Sequence, residues 1–322
     1  MSKPARSEIR AIVAEQFGGP EQLRLTTRPR PVAAAGLVVV EVAYAGVNFV
    51  DLYQRLGRYP GVSLPLHLGL EAAGEIVDIA PGEAFVVGDR VAFTTGVQGA
   101  YASHVVVPVD HLVSVPADVS LRDAAAALEH GLTAAMLLED VARLHSGDAV
   151  LVHAAAGGVG GWLTQWLVAR GHRVFGTVSS EAKAAWLREV GAVPLLTQTD
   201  WSSAADGVAV VFDSVGRDTL AGSLHALAQR GHLVLFGAAS GQPDPVDVLS
   251  LMKKSLALSR PVLPHYLPDA DTLRQRAATV FDALVQDVVK LRIHDVLPLA
   301  EAARAHEALA SRATQGKLLL QP

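Results

Sequence analysis

From Leu37 to Val107 apolar residues come in short, valine-rich runs: Leu37–Val42, Glu75–Ile79, Val86–Phe93 and Ala102–Val107. Gly19-Pro20 and Pro81-Gly82 punctuate the first third of the chain, and the pattern predicts strands and turns. From Leu121 the spacing changes to helix, over Leu121–Leu128 and then Thr133–Leu144 beyond Gly131. Strand and helix then alternate. The strands are Ala149–Ala154, Arg173–Val178, Val208–Asp213 and Leu233–Gly237, and the helices Trp162–Arg170, Glu181–Val190 and Thr219–Gln229. Such alternation predicts an α/β fold built on a doubly wound parallel sheet. The tail holds helices near Thr272–Lys290 and Glu301–Ser311 and a short strand Leu318–Leu320. It is too small to stand alone and is expected to pack back on the β-rich N-terminal part, which makes that domain discontinuous.

The junction after Val152 carries the first chemistry. His153-Ala154-Ala155-Ala156-Gly157-Gly158-Val159-Gly160-Gly161 joins an apolar strand to a helix. It fits the dinucleotide fingerprint G-x-G-x-x-G with Ala155 in the first slot, then Gly157 and Gly160. Such a turn brings backbone N–H groups and a helix N-terminus to a pyrophosphate, with Gly158 and Val159 between the two glycines. On its own the motif also fits a glycine-rich connection with no ligand. An NAD site carries Asp or Glu at the end of the next strand to hold the ribose hydroxyls. Here that strand ends in Ser179-Ser180, followed by Lys183. Hydroxyls and an ammonium favour a 2′-phosphate and hence NADPH, while Lys183 taken alone is more commonly a solvated helix lysine.

Composition narrows the field. The chain has 322 residues, a formal charge of −5 and no cysteine. Two domains fit this length, and nothing in the charge points to nucleic acid or an anionic membrane as partner. Without cysteine there are no disulfides, no thiolate catalysis and no thiolate zinc site, and nothing calls for an oxidising compartment. The N-terminus is polar and Ala149–Ala169, though uncharged, reads as strand, turn and helix rather than a span, so a cytoplasmic protein is expected. The histidines form no H-x-H or H-E-x-x-H pattern. Glu129-His130, before Gly131, reads as a surface or cap pair at a helix end rather than a metal site.

Several segments together resemble the zinc-free quinone oxidoreductases of the zeta-crystallin type, within the medium-chain dehydrogenase/reductases. They are Gly46-Val47-Asn48-Phe49-Val50-Asp51-Leu52-Tyr53, Gly69-Leu70-Glu71-Ala72-Ala73-Gly74, Gly88-Asp89-Arg90-Val91, Gly131-Leu132-Thr133-Ala134, His153–Gly160, Asp213–Asp218 and Ser311–Lys317. The resemblance implies a GroES-like catalytic domain over 1–128 and 266–322 and a Rossmann NADPH-binding domain over 129–265. It implies a homodimer paired through an edge strand near Leu233–Gly237 and the segment Ser255–Pro261. Carried over, Asn48 contacts the nicotinamide end, Thr133 lies near it, and Ser179 and Lys183 hold the 2′-phosphate. Phe236 and Gly237 line the cofactor, Arg312 reaches it from the C-terminal segment, and Tyr53 and Tyr59 border the substrate cleft. The family tyrosine expected after Gly191-Ala192 is missing from Pro194–Thr199. Zinc-bearing relatives have cysteine at the Asn48 position and histidine at Leu70. Glu71 alone cannot build a tetrahedral site, so no metal is expected.

Without a Lewis acid the acceptor must be electrophilic in itself, as quinones and activated enones are. The expected activity is hydride transfer from NADPH to small quinones. An enoyl or alkenal double-bond reductase is the alternative, and a low-turnover NADPH-binding structural or regulatory protein is a third reading. Tyr53 and Tyr59 either donate to the reduced oxygen or only shape the pocket.

Overall fold

Valine-rich runs become strands because β-branched side chains pack on a pleated, half-buried surface. A computed structural model describes residues 8–322. The first elements are β1 (Glu8–Ala14), β2 (Arg24–Pro29), β3 (Leu37–Val47), helix α1 (Phe49–Arg55), β4 (Leu66–His67), β5 (Glu71–Ile79), β6 (Arg90–Phe93), β7 (His104–Pro108), β8 (Leu112–Ser114) and helix α2 (Leu121–Met136). Next come β9 (Ala149–Val152), α3 (Gly158–Ala169), β10 (Arg173–Val178), α4 (Glu181–Glu189), β11 (Val193–Leu196), α5 (Trp201–Ala204), β12 (Val208–Asp213), α6 (Leu220–Ala226), β13 (Leu227–Leu235) and β14 (Ala257–Ser259). The chain closes with α7 (Ala270–Val285), β15 (Ile293–Pro298), α8 (Ala302–Ala310) and β16 (Lys317–Gln321). These elements form two units. One comprises the described chain up to Glu129 with Leu267–Val285 and Leu291–Pro322; the other comprises His130–Tyr266 with Gln286–Lys290.

The first unit is the GroES-like part, built around β3. One sheet runs β15-β16-β3-β5-β6-β8, with β7 also paired to β3, and a small sheet runs β2-β1-β4. Val38, Val40, Ala45, Leu68, Ile76, Phe93, Leu318 and Leu320 fill its core. Register matters most here. Antiparallel pairing sets Leu318 opposite Val47 and Gly46 opposite Glu71. Residues from β5 and from the C-terminal strand thereby meet at the end of β3, where Asn48 begins α1.

The second unit carries the order β11-β10-β9-β12-β13-β14, with every neighbouring pair parallel. This is the doubly wound Rossmann order, whose winding reverses between β9 and β12. Ligands of such sheets bind at the carboxyl ends of the strands beside that reversal. Leu151, Phe175, Val208, Val211 and Leu233 pack one face of the sheet.

Some boundaries differ from the sequence pattern. A single helix runs through Gly131, where a break was expected, because an interior glycine costs only about 1 kcal/mol and buried Ala124–Leu128 and Leu132 offset it. The helix expected over Thr219–Gln229 stops at Ala226, and β13 begins at Leu227. Because Ala257–Ser259 pairs with β13, the edge on this side of the sheet is β14, not the strand ending at Leu235. Of Val86–Phe93 only Arg90–Phe93 is strand, and Val86 and Val87 face solvent.

Candidate functional site

At the carboxyl end of β9 the chain turns sharply into α3. Ala154 adopts a left-handed conformation, with φ +50°, and its carbonyl accepts Gly157 N–H at 2.8 Å. Gly157 is the N-cap, so Gly158, Val159 and Gly160 form the first turn of α3, whose N–H groups lack intrahelical acceptors by helix geometry. A Cβ on Gly160 would stand 2.3 Å from the Ala154 oxygen, so only glycine lets the helix lie this close to the strand. Ala155 is fully buried beneath the turn. The two serines ending β10 stand at the next loop. Ser180 caps α4 by accepting Lys183 N–H, and Lys183 Nζ donates to Ser179 Oγ at 3.3 Å. Burial pulls the Lys183 ammonium below the usual lysine range. Phe236 and Gly237 follow β13, and both their N–H groups point to the Asp213 carbonyl at the end of β12. Thr133 lies in α2, half-buried.

The first unit holds Asn48, Tyr53, Tyr59 and Arg312. Arg312 is exposed after α8, with φ +58°. Tyr53 is half-buried on α1 with its ring 6.3 Å from Phe49, and Tyr59 is exposed in the following loop. Asn48 sits in a buried polar cluster. Its Nδ2 donates to Glu71 Oε2 at 3.0 Å, and Lys317 Nζ donates to Asn48 Oδ1 at 2.7 Å and to Glu71 Oε2 at 2.5 Å. Glu129 N–H donates to Glu71 Oε1 at 2.7 Å. An ammonium can only donate, so Lys317 fixes which end of the Asn48 amide is oxygen. Gly46 leaves room for the pair, since a Cβ there would meet Glu71 Oε2 at 2.1 Å.

A second layer supports the first. Asn48 N–H donates to Asp51 Oδ2 at 2.8 Å in a capping box that starts α1, and Tyr101 OH donates to the same oxygen at 2.9 Å. Tyr101 also meets His306 Nε2 at 3.2 Å, and Arg55 Nη1 meets His306 Nδ1 at 3.3 Å. Burial pushes the Asp51 carboxyl up to about 7 against those donors and the Lys317 charge. Burial, aided by the Arg55 charge, holds His306 down at about 3, so its ring is neutral. Glu129 is pushed up to about 7 by burial and by Glu71, and Thr94 Oγ1 donates to it.

Two family models match the chain, the alcohol dehydrogenase GroES-like domain over residues 34–117 and the zinc-binding dehydrogenase over 158–278. A quinone oxidoreductase of Pseudomonas aeruginosa is 39% identical over 316 residues, covering 95% of this chain and 97% of that protein. The chain belongs to the quinone oxidoreductase family of the medium-chain dehydrogenase/reductases. A solved Escherichia coli quinone oxidoreductase, complexed with NADPH, superposes with a TM-score of 0.93 at 37% identity, covering 97% of this chain and all of that one. A 2-haloacrylate reductase of Burkholderia sp. is 34% identical over 98% of this chain and 99% of its own length.

The zinc named by one of those models does not fit this member of the family. Both Glu71 oxygens already accept hydrogen bonds, and one of them holds an ammonium where a zinc ligand would need a free lone pair. A carboxamide, one neutralised carboxylate and no imidazole or thiolate are not a zinc donor set. The dinucleotide, by contrast, fits the turn before α3 and the hydroxyl–ammonium pair after β10.

Glu129-His130 is not the surface or cap pair expected from its local sequence. The pair lies inside α2 rather than at its end. Glu129 is tied to Glu71 and Thr94, while the His130 ring fills the space beside Gly158, 2.1 Å from where a Cβ would stand. Lys317, Asp51, Tyr101 and His306 were not singled out from sequence. The signals were there: Lys317 is a charge opening the apolar run Leu318–Leu320, and Asn48-x-x-Asp51 has capping-box spacing.

Proposed function

We propose that the protein is an NADPH-dependent, zinc-independent quinone oxidoreductase acting on small quinones. The observation that carries this reading is the internally neutralised Asn48–Glu71–Lys317 cluster, which leaves no Lewis acid to polarise a substrate oxygen. An acceptor must then be electrophilic on its own, as a quinone is. NADPH, when bound, supplies the hydride. The N–H groups opening α3 hold its pyrophosphate, Ser179, Ser180 and Lys183 hold its 2′-phosphate, and Phe236 and Gly237 line it. Asn48 keeps one Nδ2 hydrogen for the nicotinamide amide, because Lys317 and Glu71 fix its orientation. Thr133 and Arg312 complete the cofactor site. Tyr53 and Tyr59 border the substrate cleft. The catalytic lobe on this reading is 1–128 with 266–322 and the cofactor lobe 129–265, save that Glu129 groups with the first unit and Tyr266 and Gln286–Lys290 with the second.

Two copies pair through the exposed edge of β14. Leu258 on that edge, with Val248, Leu249 and Met252 nearby, forms apolar surface that a second sheet would cover. No helix among the described residues is long and apolar enough to cross a membrane. A cysteine-free chain is at home in the cytoplasm, where we place it.

The deciding experiment follows NADPH oxidation against a panel of quinones, activated enones and simple aldehydes. The expected order is quinones, then enones, with aldehydes inert. Faster turnover of aldehydes, or equal use of NADH and NADPH, would overturn the assignment. Enones leading quinones would favour a double-bond reductase, a reading supported by the similarity to 2-haloacrylate reductase.

A further inference from the structure

The reversal point of the parallel sheet hides a chain of polar side chains that the cofactor reading does not use. His153, immediately after β9, is fully buried, as are Ser223 on α6 and Asp213 at the end of β12. The distances are ordinary: Ala154 N–H to Thr177 Oγ1 is 3.2 Å and Thr177 Oγ1 to His153 Nδ1 is 3.0 Å. His153 Nε2 to Ser223 Oγ is 3.0 Å, and Ser223 Oγ to Asp213 Oδ2 is 2.9 Å. Asp213 Oδ1 accepts the N–H groups of Val215 at 2.8 Å and Gly216 at 3.0 Å, and Thr219 Oγ1 donates to the same carboxylate.

Donor and acceptor counting leaves one arrangement. A carboxylate only accepts, so the single Ser223 hydrogen goes to Asp213. Ser223 oxygen must then accept from His153, which puts the imidazole proton on Nε2. His153 Nδ1 is therefore bare and accepts the Thr177 hydroxyl hydrogen. Thr177 oxygen is left to accept the amide of Ala154. Every bond points the same way, from the backbone of the α3 turn to the carboxylate at the end of β12.

We propose that this one-way relay, Ala154 N–H to Thr177 to His153 to Ser223 to Asp213, is a positioning device for the dinucleotide site. It rests on the reading of the α3 turn as that site. At one end it holds Ala154 in the left-handed conformation whose carbonyl caps Gly157 and lies against Gly160. At the other it sets the Val215–Gly216 loop, and the Asp213 carbonyl takes Phe236 N–H at 2.9 Å. Four strand ends that face the cofactor are thus tied into one network, with Trp201 closing it off by an edge contact to His153 at 4.6 Å. Thr177, His153, Ser223 and Asp213 act through the backbone and are positioning residues.

The test uses the whole enzyme and the near-isosteric variant Thr177→Val, with Thr177→Ser as the conservative control. Dissociation constants for NADPH and NADH should both rise about tenfold in the valine variant, the weight of one lost buried hydrogen bond. The effect on kcat at saturating NADPH should be smaller than that on affinity, and the serine variant should match the parent. Long-range proton–nitrogen NMR of the parent should show His153 protonated at Nε2 and bare at Nδ1. A proton on Nδ1, or unchanged dinucleotide affinity in Thr177→Val, overturns the relay. A lower thermal midpoint with unchanged affinity would make Thr177 merely structural and also overturns it. A parent enzyme that binds no dinucleotide overturns the cofactor site itself, and shows this before any substitution is made.

Discussion

Replacing Lys317 by methionine removes a cation and keeps most of the volume. The ammonium and its partner Glu71 are 1% and 0% exposed, so solvent cannot take over when the ammonium is gone. Glu71 would keep the Asn48 Nδ2 and Glu129 N–H bonds but lose its counter-charge. Breaking a buried pair in this way costs about 3–5 kcal/mol, because one charge stays buried and uncompensated. For a unit of this size about 2–4 °C of thermal midpoint follows each kcal/mol, so scanning calorimetry should show Lys317→Met falling by roughly 6–20 °C. The double variant Lys317→Met with Glu71→Gln should recover most of that loss, since a buried pair is close to break-even against a neutral, well-packed replacement. Activity should return less completely than stability, because nothing then dictates which way the Asn48 amide faces. A single variant within about 1 kcal/mol of the parent, or a double variant no more stable than the single, would refute the account of Lys317 as the neutralising cation.

Other expectations follow from the same geometry. Lys183→Ala should raise the dissociation constant for NADPH on the order of 10- to 100-fold and leave NADH nearly unchanged; parallel losses for both cofactors would argue against a 2′-phosphate contact. Leu258→Lys should give a monomer by light scattering, and an unaltered dimer mass would place the interface elsewhere. The fold holds a proton on Asp51 up to about pH 7, whereas the unfolded chain releases it near 4, so its stabilisation is complete in acid and lost as pH rises through 7. The loss is spread between about pH 4 and 7, and Asp51→Asn should flatten this part of the stability profile. Tyr53→Phe and Tyr59→Phe should each leave quinone turnover within a few-fold; a loss of about 100-fold would identify a proton donor.

How legible each part was depends on how far apart its residues lie in the chain. The strand–turn–helix over Ala149–Ala169 was readable because its signals, an apolar run, three small residues at fixed spacing and a helical stretch, are all local. Gly131 misled for the same reason: locally it reads as a break, while the buried alanines and leucines around it hold one continuous helix. The polar cluster was beyond local reading. Glu71 and Lys317 stand 246 positions apart and meet only because β16 and β5 both pair with β3 in one register. His153 was within the recognised motif, yet its importance comes from Ser223, 70 positions on, across the reversal of the sheet.

The two clusters differ in a way that bears on the chemistry. In the second unit the buried carboxylate Asp213 is satisfied entirely by hydrogen-bond donors, two amides and two hydroxyls, with His153 kept neutral by burial despite the nearby charge. A buried carboxylate so arranged shapes backbone and leaves no cation to face a ligand. In the first unit Glu71 is satisfied by a full positive charge, and that charge lies against Asn48, which is proposed to meet the nicotinamide. Lys317 on its oxygen and Glu71 on its nitrogen fix the Asn48 amide, and on the proposed reading its second Nδ2 hydrogen serves an uncharged acceptor such as a carboxamide oxygen. The same cation is already spent on Glu71 and cannot also stabilise an alkoxide. On the proposed reading that cation does not polarise a substrate carbonyl, and a quinone, whose ring delocalises the incoming electrons, needs little such help.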